Sequence, residues 1–172
     1  GKHNFIESME DFIENKLILS GITAVEDRIQ RGVPLTIEKL VQAGIAVWVL
    51  TGDREETAIN IAVACNLIQD DMHKVVINMK RCKDLEGIGI CLEREARRME
   101  YEVEKHHKLD QERALVIGGA ALTEALSDPD VKMKLIHLVG MCKTVLACRV
   151  SPDQKQQLLK LIKDNVAGAR CL

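Results

Sequence analysis

The sequence predicts an α/β fold, a doubly wound and mostly parallel sheet with helices on both faces. Two observations lead there. Short apolar runs alternate with helix-length segments along the 172 residues, the order that gives parallel strands joined by helical crossovers. One run, residues 45–50, passes directly into Thr51-Gly52-Asp53 and then a helix, and residues 46–50 have no polar member, as a strand buried on both faces requires.

In chain order, residues 4–14 read as a short amphipathic helix, with Phe5, Ile6, Met9, Phe12 and Ile13 at i, i+3, i+4 spacing. Residues 17–25 read as a strand. Residues 33–43 read as a helix that tolerates Pro34 in its first turn and stops at Gly44. The central strand 45–50 follows, then a helix at 55–67 and a strand at 74–78. Residues 84–109 break the alternation as a charged helical insertion. Within it, 92–105 combines strong helix formers with opposed charges such as Glu93 and Arg97 at i, i+4, which predicts a solvated helix. The alternation resumes with a strand at 113–117, helices at 120–127 and 131–138 separated by Pro129, a strand at 144–148 and a helix at 153–163. Residues 169–172 begin another strand. A single domain over 1–172 is expected, long enough to bury roughly 70% of its unfolded surface.

Composition narrows the function classes. Hydrophobic residues make up 47% and charged residues 29%, ordinary for a soluble globular chain, and a net charge of −2 gives no general attraction to nucleic acid or anionic lipid. Aromatics at 2% supply no stacking platform for single strands. The apolar run near 45–50 falls far short of the ~20 residues of a membrane helix. The six cysteines, Cys65, Cys82, Cys91, Cys142, Cys148 and Cys171, form no Cys-x-x-Cys pair and stand near no His at zinc spacing. Reduced, mostly buried thiols in a cytosolic setting are expected, and no metal site within the chain. His106-His107 reads as a solvated helix end.

The corner at 51–53 carries the chemistry. Gly52 lets the backbone turn sharply, and the Thr51 hydroxyl and free N–H groups face past the carboxyl edge of the sheet, where phosphoryl oxygens bind favourably. Asp53 can cap the following helix or face a metal or nucleotide. Arg149 and Lys155 flank Pro152 between a strand and a helix, so both cations belong to a sheet edge. Phosphoryl transfer asks for such groups, since its catalysis is mostly positioning and electrostatic stabilisation.

Three blocks of sequence carry a resemblance. They are Leu19-Ser20-Gly21-Ile22-Thr23-Ala24-Val25-Glu26-Asp27-Arg28, Thr51-Gly52-Asp53 followed by Glu56-Thr57-Ala58-Ile59-Asn60-Ile61, and Ala147-Cys148-Arg149-Val150-Ser151-Pro152-Asp153-Gln154-Lys155. In this order they resemble the phosphorylation domain of P-type ATPases, and their wording is closest to the phospholipid-flippase branch. The match runs from about Glu14 to the end, interrupted at 84–109. It implies a haloacid-dehalogenase-like domain in which an aspartate takes the γ-phosphate of ATP and drives lipid movement in a distant membrane domain. By the same resemblance, Thr51 would hydrogen-bond the transferred phosphoryl and Lys155 would neutralise its charge. Gly52 and Asp53 would sit beside the Mg-nucleotide, Arg149 would bind nucleotide phosphates, and Asp27 would hold the ribose at a hinge.

The departures from the family pattern matter equally. The nucleophile motif Asp-Lys-Thr-Gly-Thr is absent, as is the Mg-binding Gly-Asp-Gly-x-Asn-Asp. The end at Ala169-Arg170-Cys171-Leu172 resembles the strand leading into that second motif. Arg54 stands where the family usually has Lys, and Gly118 where the branch tends to have Asp. The resemblance therefore implies part of the phosphorylation domain, lacking the nucleophile strand, of an integral membrane protein whose cytoplasmic side uses Mg and ATP. Its partners would be the rest of that protein (nucleotide-binding, actuator and membrane domains), the transported phospholipid and an accessory subunit. Alone, the chain is expected to bind no cofactor tightly and to be inactive. The alternatives are a stand-alone phosphatase of the haloacid dehalogenase superfamily, for which Asp27 lacks its Asp-x-Asp partner, and a non-enzymatic doubly wound interaction module.

Overall fold

The computed structural model describes residues 9–10, 12–13, 17–24, 29–107, 112–166 and 171. Four strands form one sheet: β1 (Val49–Leu50), β2 (His73–Ile77), β3 (Arg113–Gly118) and β4 (Thr144–Cys148). Their order is β1-β4-β3-β2, and every pair is parallel. The helices are α1 (Val33–Gln42), α2 (Glu55–Ala64), α3 (Met79–Cys82), α4 (Leu85–His106), α5 (Gly119–Ser127), α6 (Pro129–Met141) and α7 (Pro152–Asn165).

Strand alternation builds two cores. In β3, Leu115 and Ile117 face one side with Val75, Ile77, Val145 and Ala147, under α4, α5, α6 and α7. Ala114 and Val116 face the other side with Leu146 and Cys148, under α2 and the partly buried Ile37 and Val41 of α1. Successive side chains of a strand point to opposite faces, so the central strands are apolar on both, from 114 to 117 in β3 and from 145 to 148 in β4, and every residue of β4 is buried. Side-chain caps start four of these seven helices. Asp84 accepts from Gly87 N at 2.8 Å, Asp128 accepts from Asp130 N and Val131 N, and Ser151 and Gln154 form a capping box at α7.

The charged segment 92–105 corrects the expectation of a solvated helix. It lies within α4, whose Ile88, Leu92, Ala96 and Met99 are buried in the larger core against α6. The charges occupy the outer face, where Glu93 pairs with Arg97 and Lys134, and Glu100 with His137. One acid turns inward. Glu102 accepts from Arg113 Nη2 at 2.7 and 2.8 Å, an ion pair buried where α4 crosses the amino end of β3. Arg98 approaches the same carboxylate at 3.4 Å.

Three other expectations change. Residues 17–24, read as part of a strand, are exposed and unpaired, with Ile18 at 89% and Ile22 at 88% exposure. A strand needs a ladder neighbour, and among the described residues nothing pairs with them. The strand at 45–50 shortens to Val49–Leu50, because β4 lies on one side only and β1 is the terminal strand. The helix at 55–67 ends at Ala64, where Asn66 turns the chain with φ 59°. Of the first predicted helix, the described residues 9, 10, 12 and 13 are helical. Of the last predicted strand, Cys171 alone is described, and it is exposed and not in a strand.

Two outcomes follow. Glu102→Ala withdraws the carboxylate that takes both Nη2 bonds of Arg113 and should destabilise the fold by ~3–5 kcal/mol, read from the urea midpoint. Replacing the pair together by Leu and Met should recover most of that loss. His73 is held below its ordinary value of 6.5, first by burial and then by the nearby Arg113. The folded chain thus resists the proton that the unfolded chain accepts, so stability falls as pH drops below about 6.5. In His73→Gln the loss of stability between about pH 7 and about pH 5 should be smaller.

Candidate functional site

Beyond β1 and β4 the two chains stay bonded. Thr51 N donates to Ala147 O at 2.9 Å, Val150 N to Thr51 O at 3.1 Å, and Arg149 N to Asp53 O at 3.0 Å. Thr51, Gly52, Asp53 and Arg149 therefore meet at the carboxyl edge of the sheet. The Thr51 hydroxyl donates to Asp53 Oδ2 at 2.7 Å and accepts from Asp53 N at 3.1 Å, which closes the turn on itself. Asp53 thus does not cap α2. The N-cap residue is Arg54, without a side-chain cap. Free to face outward, the Asp53 carboxylate shares a half-exposed hydroxyl with Thr51.

Arg149 adopts φ 53°, a left-handed conformation unusual for a residue with a side chain. The neighbouring backbone imposes it. A Cβ on Gly119 would stand 2.2 Å from the Arg149 carbonyl oxygen, so only glycine permits this approach of α5 to the loop. Gln154 Nε2 adds bonds of 2.7 Å to Gly119 O and to Thr123 Oγ1, tying the start of α7 to the start of α5. Lys155 is the next residue, in the first turn of the helix that leaves this edge. Its ammonium has no hydrogen-bond or ion-pair partner among the described residues. Asp27 lies outside the described residues.

A cavity of about 420 Å³ opens beside the turn. Its walls include Arg54, Glu55, Asn78, Lys80, Gly118 and Arg149. Thr51, Asp53 and Lys155 do not line it. Sequence reasoning missed Glu55, Asn78 and Lys80. The Asn78 amide donates to both Glu55 oxygens, at 3.1 and 2.9 Å, and so fixes the first turn of α2 from 23 residues away. A Cβ on Gly118 would lie 3.3 Å from Glu55 Oε1, so the glycine leaves room at this strand end for the Glu55–Asn78 pair. Asn directly after the apolar run 75–77 was the available signal. It also caps α3 by accepting from Arg81 N at 3.0 Å. A second cavity, about 340 Å³, opens at the amino end of the sheet near Val41, Leu67 and Thr144, away from every predicted site residue.

The edge is rich in charge. Burial, then the carboxylates of Glu55 and Asp53, push the Cys148 thiol up to about 11, so it stays protonated beneath the turn. Gly119→Ala should destabilise the chain by ~1–3 kcal/mol through overpacking, with proteolysis near Arg149 accelerated. Asn78→Ala, which frees Glu55 but leaves the fold, should increase amide exchange across the first turn of α2 with a smaller change in the urea midpoint.

No family model matches the chain. Curated proteins match it over nearly its whole length. It is 42% identical over 158 residues to the phospholipid-transporting ATPase DRS2 of Saccharomyces cerevisiae, covering 92% of this chain and 11% of that protein. A phospholipid-transporting ATPase of Schizosaccharomyces pombe is 44% identical over 153 residues, covering 89% and 12%. Phospholipid-transporting ATPase 6 of Arabidopsis thaliana is 38% identical over 172 residues, covering 95% and 14%. The chain thus spans a small part of the length of the relatives it matches. At these identities across almost all of its residues, the chain belongs to the P-type ATPase family, in its phospholipid-transporting branch.

Proposed function

We propose that this chain is part of the phosphorylation domain of an ATP-driven phospholipid-translocating P-type ATPase, and that it supplies phosphoryl-binding groups to a nucleophile held elsewhere in the longer protein. The observation that carries the reading is the hydrogen-bonded junction of the β1 and β4 loops, which holds the Thr51 hydroxyl, the Asp53 carboxylate and Arg149 at one sheet edge. In this reading the Thr51 hydroxyl turns from Asp53 to a phosphoryl oxygen, and the unpaired Lys155 ammonium neutralises charge developing on that group. Arg149 binds nucleotide phosphates, and Asp27 serves the ribose at the hinge.

ATP brings the phosphoryl group, and Mg offsets the charge of its oxygens. Among the described residues no three His, Cys, Asp or Glu side chains gather as a metal cage. The donor set instead fits Mg held partly by phosphate, since that ion commonly uses one or two carboxylates with substrate oxygens and water. Asp53 would be this chain's contribution. No described helix is long and apolar enough to cross a membrane. The proposed setting is the cytoplasmic side of an integral membrane protein, with lipid selection, the nucleotide-binding and actuator domains and any accessory subunit lying outside these residues.

The 172-residue chain incubated with labelled ATP should neither acquire an acyl phosphate nor release phosphate, because it has no Asp-Lys-Thr-Gly-Thr. Labelling abolished by removing one of its own aspartates would refute the reading in favour of a stand-alone phosphatase. In the longer protein, Thr51→Ala and Lys155→Ala should each lower turnover by roughly 10²–10³. Unchanged turnover in both would leave only a non-enzymatic module.

A further inference from the structure

Behind the wall of the larger cavity, two cysteines from adjacent helices meet. Cys82 is the last residue of α3, and Cys91 lies in the second turn of α4. The helices pack so closely there that a Cβ on Gly87 would stand 1.9 Å from the Cys82 carbonyl oxygen. Cys91 follows Gly87 by one turn on the same helix face, and helical side chains lean back toward the N-terminus, which directs its thiol to Cys82. Cys91 packs against the core that contains Cys82, near enough to act on the titration of the Cys82 thiol. Cys82 is buried within the larger core, and Cys91 is half-buried at its margin.

We propose that Cys82 and Cys91 form a redox pair that closes into a reversible disulfide under peroxide, stapling α3 to α4. The proposal stands on this packing and not on the reading of the catalytic edge. Burial, reinforced by the nearby Cys91, pushes the Cys82 thiol up to about 11, so the more exposed Cys91 reacts first. Its thiolate sulfur attacks one peroxide oxygen; an S–O bond forms, the O–O bond breaks, and the departing hydroxide takes up the thiol proton as water. Cys82 sulfur then attacks the sulfenic sulfur of Cys91; the S–S bond forms, the S–O bond breaks, and the leaving hydroxide takes the Cys82 proton. Two thiols lose two electrons in all, and one peroxide becomes two waters.

The staple has a place to act. α3 opens with Asn78, which holds Glu55 in the first turn of α2, directly after the Thr51-Gly52-Asp53 turn. Locking the far end of so short a helix fixes that wall of the cavity. Thiols of this kind in reducing compartments are more often sensors than permanent cross-links.

The test is a hydrogen peroxide titration of the chain carrying Cys171→Ser, which removes the exposed thiol. The free thiol count should fall by two, a peptide map should join residues 82 and 91, and a dithiol reductant should restore both thiols. Amide exchange across residues 79–87 should slow several-fold in the oxidised form. Cys91→Ser, at a half-buried position, should keep all its remaining thiols under the same peroxide. The proposal fails if Cys91 is over-oxidised with Cys82 still free, if a different pair links, or if no thiol is lost. It also fails if the link forms without slowing exchange, since α3 and α4 would then not be stapled.

Discussion

The site depends on three backbone hydrogen bonds that continue the β1–β4 ladder after both strands have ended. β1 contributes only two registered pairs, Val49 with Leu146 and Leu50 with Ala147. The bonds from Thr51 N, Val150 N and Arg149 N extend that contact into the loops. Each contributes about 1 kcal/mol net, while the left-handed conformation of Arg149 costs about 1–2 kcal/mol. The balance is favourable, and because β4 is entirely buried the loop that follows it is anchored to the core. Close packing of Gly119 beneath the Arg149 carbonyl removes the remaining freedom.

The opposite edge of β1 has no strand against it among the described residues, and this explains much that is unusual about the molecule. An edge of unpaired N–H and C=O groups on an apolar strand is a template for another strand, which proteins normally cover or blunt with charge. Among the described residues it is neither charged nor covered. Residues 45–48 leave the ladder, Ile45 is 46% exposed, and the apolar side chains of Leu17, Ile18, Leu19 and Ile22 face water. A segment of that composition is spelled for burial. α1 shows the same deficit, since no residue in it is fully buried although one of its faces is apolar. The relatives are several times longer than this chain, and among the described strands β3 and β4 have ladder neighbours on both sides while β1 and β2 have one each.

Legibility followed the source of the signal. Strands β2, β3 and β4 were readable within a residue because each holds a short run of consecutive apolar residues, 75–77, 114–117 and 145–148, as strands of a parallel sheet do. The places of the turn at 51–53 and of Arg149 at the sheet edge were readable because Gly52 directly after an apolar run and Pro152 before a helix mark where strands end. What failed was whatever depended on a neighbour. The strand at 17–25 and the full length of 45–50 presuppose a partner, and no periodicity in a single segment reveals whether one is present. The face of α4 was misread because its glutamates and arginines outnumber the Ile88, Leu92, Ala96, Met99 spacing that seats it. Glu102 looked like one more surface acid until Arg113 met it. Glu55 and Asn78 were invisible as a pair, since a contact between residues so far apart in sequence leaves no local pattern.

Charge decides how much of the proposed chemistry this edge can perform by itself. The cavity walls carry Arg54, Lys80 and Arg149 against Glu55 and Glu56, and Asp53 stands just outside. The cations barely outnumber the acids. Asn78 quiets one acid without neutralising it, because an amide donor stabilises the carboxylate as an anion. A highly charged phosphate brought here would meet the negative field of Asp53 and Glu55, the same field that helps hold the Cys148 thiol protonated. On the proposed reading, the ammonium of Lys155 at the start of α7 would offset that repulsion, and Asp53 would help hold a divalent cation that supplies the rest of the positive charge. The proposed phosphoryl binding at this edge would therefore need a cation to accompany the phosphate. A turn whose hydroxyl is already satisfied by its own carboxylate can wait in water for that arrival without leaving a polar group unpaired.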